Sequence, residues 1–188
     1  MLETLDRLDK EVFLWLNGKY TPALDPVMVW VTTRESWFPF YVLLIGWLIY
    51  TYRRRAAGLI LTLIAAVAVA DQVAASVFKP LFHRLRPCHE ATLMKLIHPV
   101  LECGGKYSFV SSHASTTFAL ATGLWLLLGR RHGWLRVWFA WAALVSYSRI
   151  YVGAHYPLDV LAGTGVGVLS AALCVALYRR FTTKPLVG

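Results

Sequence analysis

Three stretches of this 188-residue chain hold side chains suited to gripping an anion and moving protons. In KPLFHRLRP, Lys79 and Arg86 are separated by six residues; in VSSHAS, Ser111 and Ser112 precede His113; in SRIYVGAHYPLD, Arg149, His155 and Asp159 fall within twelve residues. Phosphate is the anion that these types fit. A guanidinium fork matches its oxygens, an ammonium adds a point charge, and the open N–H groups of a helix beginning at Ser111 to His113 aim at the same oxygens. Asp159 follows His155 by four residues, so on a helix that begins near Pro157 its carboxylate can fold back to one imidazole nitrogen. That contact fixes the tautomer and leaves the other nitrogen free to attack phosphorus, while His113 can protonate the leaving oxygen. No Cys/His/Asp cluster has metal-ligand spacing, so a mechanism free of metal and cofactor is expected.

Each stretch alone has an ordinary explanation. Basic residues at helix ends snorkel to a membrane surface, a serine-rich helix start is an N-cap, and a single histidine is usually structural. What raises them together is that one membrane face collects all three. The chain has a mean hydropathy of +0.54, with 57% hydrophobic and 15% charged residues, too apolar for a water-soluble domain of this length. Apolar runs near 36–52, 57–78, 112–129, 134–149 and 158–178 are long enough, or nearly so, to cross a hydrocarbon core of about 30 Å.

The net charge of +9 falls in short clusters between these runs, which reads as membrane orientation and argues against nucleic acid. Arg53–Arg55, Arg130–His132, and Arg179, Arg180 and Lys184 mark the cytoplasmic ends. The loops 79–111 and 150–157 then share the opposite face. Upstream, Leu2, Leu5, Leu8, Val12, Trp15 and Leu16 form one apolar helical face, which predicts an interfacial helix. The stretch LDPVMVWVTT is too short to span alone. Residues 1–35 are therefore read as interfacial and half-inserted helices, residues 36–188 as the bundle, with a single domain overall and five to six membrane segments. The acidic N-terminus lacks the features of a cleaved signal peptide, so the first residues are expected to remain in the mature protein.

The three clusters resemble the three-part signature of the type 2 phosphatidic acid phosphatase superfamily, to which vanadium haloperoxidases and glucose-6-phosphatase are related. Lys79, Arg86 and Pro87 match its first part; Ser148, Arg149, His155 and Asp159 match its third, both with complete spacing. The middle part departs: the family's Pro-Ser-Gly-His is Val110, Ser111, Ser112 and His113 here. The missing glycine bears on how closely the backbone at Ser112 approaches a phosphate. Over residues 57–178 the resemblance implies an all-α, polytopic integral-membrane bundle. It further implies a phosphohistidine on His155, His113 as general acid, and phosphate held by Lys79, Arg86, Ser111, Ser112 and Arg149.

The expected function is that of an integral-membrane lipid phosphatase. Its substrate would be a lipid of the bilayer: undecaprenyl diphosphate first, with phosphatidylglycerophosphate, phosphatidic acid and a lipid A phosphate also open. The location would be a bacterial inner membrane, with the site on the periplasmic face. A flippase or transporter would need polar residues through the bilayer depth, and a non-catalytic binder would not need every catalytic side chain. The spans argue against a soluble haloperoxidase-like role. Cys88 and Cys103 share the outer loop and are expected to form a disulfide, with Cys174 a packing residue. The stretch between them either lies over the site or is a plain surface helix. Asp71 and Gln72, about 12 Å below Lys79, are read as making a structural hydrogen bond to a neighbouring helix, the alternative being support of the site from below.

Overall fold

The protein is described by a computed structural model covering residues 2–182, so Lys184 lies outside the described residues. Its helices are α1 (Leu2–Asn17), α2 (Asp25–Thr32), α3 (Phe38–Tyr52), α4 (Ala56–Gln72), α5 (Lys79–Phe82), α6 (Ser112–Leu128), α7 (Val137–Tyr151) and α8 (Pro157–Phe181). The described residues contain no strand beyond one isolated antiparallel bridge, Leu85 to Tyr107. Among the described residues, two helical stretches are long and apolar enough to cross a membrane by length and composition. They are Glu35–Phe82, which includes α3, the Arg53–Arg55 turn and α4, and Pro157–Phe181.

At the centre α4, α6 and α8 pack against one another, with α7 on α6 and α3 on α4. Between apolar helices in lipid, packing contact rather than water release drives association, so small residues matter at the crossings. Gly163 of α8 lies so near the α6 backbone that a Cβ would stand 2.5 Å from the Ser111 carbonyl oxygen. A Cβ on Gly167, one turn on, would collide with the carbonyl oxygen of Ser115. This close crossing sets the distance between the helix starts that carry His113 and Asp159. Outward faces stay apolar: Leu43, Leu61, Leu161 and Leu169 are all exposed, as suits side chains that meet lipid tails.

The two ends of the bundle differ. At one, a leucine cluster (Leu48, Leu59, Leu63, Leu124, Leu128, Leu135) sits under the basic turns. There His132 bonds the Tyr52 hydroxyl at 2.9 Å, and Arg179 donates to the Leu126 carbonyl. The other end gathers the three polar stretches. Both N-terminal helices join it, α1 packing on α7 and α8 and α2 on α7.

The packing of α1 refines the sequence reading. Leu5, Leu8, Val12 and Trp15 face outward, as an interfacial helix requires, but the opposite face is docked on the bundle rather than left to water. Asp9, Phe13 and Asn17 of that face are buried. Asn17 donates to the carbonyls of Ile150 and Tyr151 at 3.3 and 2.7 Å and accepts from the His98 amide at 2.8 Å.

Candidate active site

Lys79 is placed by a change of helical winding. The chain does not leave the helix near residue 78; it winds through Val73–Phe78 as a π-helix and runs on as α5 to Phe82. The wider turn, often found beside functional sites, brings Lys79 toward α6, where its Nζ donates to Ser112 Oγ at 3.1 Å. His83 ends α5 in the left-handed conformation (φ 48°) and turns the chain toward Arg84 and Arg86. A return segment holds that backbone: the Arg86 amide donates to Lys106 O at 3.2 Å and the Ser108 amide to Arg84 O at 2.8 Å. Arg86 is buried, and its Nε donates to Tyr107 O at 3.3 Å.

Cys88 and Cys103 are joined by a disulfide, Cα to Cα 6.1 Å, closing the loop whose feet flank the Arg86 to Lys106 pairing. Cys88, His89 and Cys103 are close enough together to suggest a metal site among the described residues, but the disulfide occupies both sulfurs. The segment inside the loop forms turns, not a regular helix. Its Leu93 packs with Phe13, Ile150 and Tyr156 beside the His155 loop.

Ser111 is the N-cap of α6: its Oγ accepts from the Ala114 amide at 3.4 Å. Its own N–H donates to the Asp159 carbonyl at 3.0 Å, so that amide is not free for phosphate as the sequence pattern suggested. Ser112 and His113 open the helix, where intrahelical bonding leaves their amides without a carbonyl. His113 Nε2 donates to the carbonyl oxygen of Thr32 at 3.2 Å. A carbonyl only accepts, so Nε2 carries the hydrogen and Nδ1 is the nitrogen free to gain or lose a proton.

Arg149 closes α7 and donates from Nη1 to Thr32 Oγ1 at 2.6 Å, while its buried Nε has no hydrogen-bond partner among the described residues. His155 follows in the short loop before α8 and is 2% exposed; Asp159, in the first turn of α8, is 0% exposed. Their nearest approach is 3.6 Å from Nδ1 to Oδ2, long for a hydrogen bond and short enough for strong electrostatic coupling. Asp159 is held more tightly elsewhere. Oδ2 accepts the Tyr156 amide at 2.9 Å, capping α8, and Oδ1 accepts Arg84 Nη1 at 3.0 Å. Burial lowers His155 from 6.5 to about 4; the Asp159 carboxylate acts the other way, and the Arg149 and Arg86 charges add to the lowering. The imidazole is therefore neutral, and able to attack, across the neutral pH range.

The structure thus brings Lys79, Arg86, Ser112, His113, Arg149, His155 and Asp159 to one end of the bundle, with Ser111 turned mainly to capping. Sequence reasoning missed Thr32, which touches both His113 and Arg149, and Arg84, whose partners Asp6 and Asp9 lie on α1. It also missed Arg34, close enough for its charge to act on His113, Lys79 and Arg149. From this head region an apolar cavity of about 540 Å³ runs between α3, α4 and α6. Arg34, Asp71 and His113 line it together with Leu44, Leu48, Ile60, Leu63 and Val67. Asp71 thus borders the cavity, and Gln72 bonds Ser76 of the same helical run at 3.1 Å rather than a neighbouring helix.

This arrangement defines an all-helical phosphatase class in which charged groups cap one end of an apolar bundle. A family model described as the PAP2 superfamily matches residues 55–183, and the chain belongs to that superfamily of phosphatases. The lipid A 4'-phosphatase of Bacteroides thetaiotaomicron is 32% identical over 188 residues, covering 98% of this chain and 83% of that protein. The undecaprenyl-diphosphatase of Sulfolobus acidocaldarius is 33% identical over 171 residues, covering 89% and 77%. The crystal structure of Aquifex aeolicus LpxE matches with a TM-score of 0.70 at 25% identity, covering 90% of this chain and 95% of that one.

Proposed function

We infer that the chain is an integral-membrane lipid phosphatase that works through a phosphohistidine on His155. Lys79, Arg86, Arg149 and the Ser112 and His113 amides hold the phosphate. His155 attacks phosphorus as His113, charged with a second proton on Nδ1, gives that proton to the leaving lipid oxygen; the neutral His113 then takes a proton at Nδ1 from water, whose oxygen displaces His155 and releases inorganic phosphate. Asp159 stabilises the imidazole as it becomes positive. The single observation that carries the lipid reading is the apolar cavity between α3, α4 and α6, because it begins at His113 and has the lining a hydrocarbon tail needs.

Five crossings fit this reading: α3, α4 with its continuation, α6, α7 and α8, with α1 interfacial and α2 half-inserted. Because α1 and α2 pack at the phosphate-binding end, five crossings bring Arg179 and Arg180 to the end that carries Arg53–Arg55 and Arg130–His132. By the positive-inside rule the basic end is cytoplasmic and the site periplasmic, in a bacterial inner membrane. Residues 2–35 then form a membrane-surface cap on the bundle within one domain.

A lipid A 4'-phosphate is the first substrate, supported by a resemblance that extends over 98% of the chain, including α1 and α2. Undecaprenyl diphosphate, favoured from the sequence, is the second reading and is supported by the diphosphatase relative. Phosphate release in detergent with EDTA, from lipid A, undecaprenyl diphosphate, phosphatidylglycerophosphate and phosphatidic acid in parallel, separates them. The account expects lipid A to be hydrolysed fastest by the wild type and not at all by His155→Ala. No release from any lipid by folded protein would move the reading to transport or binding.

A further inference from the structure

Arg84 lies outside the phosphate-binding set, yet it is 20% exposed at its side chain and is the meeting point of three carboxylates. Its Nη1 donates to Asp159 Oδ1 at 3.0 Å, and its Nη2 lies 2.9 Å from Asp6 Oδ1 and 2.8 Å from Asp9 Oδ2. The guanidinium stacks on the Tyr156 ring, 4.0 Å from its centroid, which fixes its plane on the residue that follows His155 in the chain. Asp9 is fixed from the other side, its Oδ1 accepting the Leu158 amide at 2.9 Å in the first turn of α8.

We propose that Arg84 is a positioning residue, and that through Asp9 the N-terminal helix α1 belongs to the catalytic apparatus, holding the Asp159 carboxylate at its working distance from His155. Asp159 has two demands on it: the Tyr156 amide draws Oδ2, and only a second donor on Oδ1 keeps the carboxylate from rotating. Arg84 is that donor, and a planar fork with two arms is needed because the second arm must end on α1. The pairs of Arg84 with Asp9 and Asp6 join residues far apart in the chain, so they form only when α1 is docked. The outward face of α1, Leu5, Leu8, Val12 and Trp15, seats in the membrane surface and fixes α1 relative to the bilayer that carries the substrate.

The inference rests on the phosphatase reading above, and its test separates the two. Full-length wild type, Arg84→Lys and Asp9→Asn are compared for kcat and KM on a lipid phosphate in detergent, for competitive inhibition by inorganic phosphate, and for melting temperature. Arg84→Lys keeps the charge and loses the fork; Asp9→Asn keeps shape and loses the buried one of the two α1 carboxylates on Nη2, leaving the more exposed Asp6. A misplacement of about 1 Å at reacting groups costs on the order of 100-fold, so kcat is expected to fall by about 10- to 100-fold in both. KM and the phosphate inhibition constant should stay within about threefold, since Lys79, Arg86 and Arg149 are untouched. Because the two act through one contact, the double variant should lose little more than the worse single one. Wild-type kcat in both variants, or a loss confined to KM and phosphate inhibition, overturns the proposal. If Arg84→Lys does not fold, Asp9→Asn alone decides. A wild type that releases no phosphate overturns the phosphatase reading instead.

Discussion

Asp159 Oδ2 stands 3.6 Å from His155 Nδ1 while both carboxylate oxygens are engaged more closely, by the Tyr156 amide and by Arg84. The carboxylate is therefore near enough to stabilise a positive imidazole in the transition state, and too committed elsewhere to keep it charged at rest. Burial wins, and His155 is lowered from 6.5 to about 4. As pH falls, the His155 imidazole stays neutral through pH 6 and protonates near 4. The acid limb of kcat/KM attributable to His155 is expected near pH 4; a limb at 6.5 that disappears in no other histidine variant would contradict the assignment.

The same lowering has a consequence for stability. Below pH 6.5 the unfolded chain binds the proton that folded His155 refuses until about pH 4, so stability is full above 6.5 and declines as pH drops across that window. The size is about 3 kcal/mol at the acid end. Thermal unfolding in detergent at pH 7 and pH 4.5 should show a smaller acid loss for His155→Gln than for the wild type. Equal losses would place the acid sensitivity in another group.

The cavity between α3, α4 and α6 makes a chain-length prediction. Val67→Trp fills it, and Lys79, Arg86 and Arg149 are not among its lining residues. Hydrolysis of a long-chain lipid phosphate should fall at least about tenfold in kcat/KM, equivalent to about 1.4 kcal/mol, while a short-chain phosphate is processed as by the wild type. Equal effects on both would mean that the tail lies elsewhere.

At the α6 to α8 crossing, Gly167→Ala puts a methyl group into the Ser115 carbonyl. Overpacking of this kind costs about 1–3 kcal/mol, and here it also separates His113 from Asp159. A lower melting temperature and a lower kcat are expected together. A stable, fully active variant would show that the crossing is looser than described.

Removing the Cys88 to Cys103 bond by Cys88→Ser with Cys103→Ser frees a loop with a sequence separation of 15. Loop entropy puts the stabilisation at about 3 kcal/mol. Because the feet of the loop flank the backbone pairing of Arg86, KM should rise more than kcat falls. Unchanged KM would uncouple the loop from the phosphate grip.

How much of this was legible in the sequence follows the range of each contact. His155 and Asp159 stand four residues apart across the start of α8, so that spacing and Pro157 sufficed to place them. The basic turns and the apolar runs told the two ends of the bundle apart by charge alone. Arg84, Asp9 and Thr32 were not legible, because each gains its partners across the chain: 75 residues for Arg84 to Asp159, 81 for His113 to Thr32. The amphipathic pattern of α1 pointed to its membrane face and not to the buried acids opposite. Nothing in a run such as VAASVF announces a π-helix, so the register that brings Lys79 to Ser112 emerged only in three dimensions.

The central claim is the covalent step, and rapid quench measures it most directly. Wild-type protein is mixed with lipid carrying a labelled terminal phosphate, stopped within one turnover, and digested so that the labelled residue can be located. The account predicts an acid-labile, base-stable phosphate on His155, absent in His155→Ala and accumulating in His113→Ala with a good leaving group. Turnover at the normal rate with no label on the protein, or label on another residue, would contradict it.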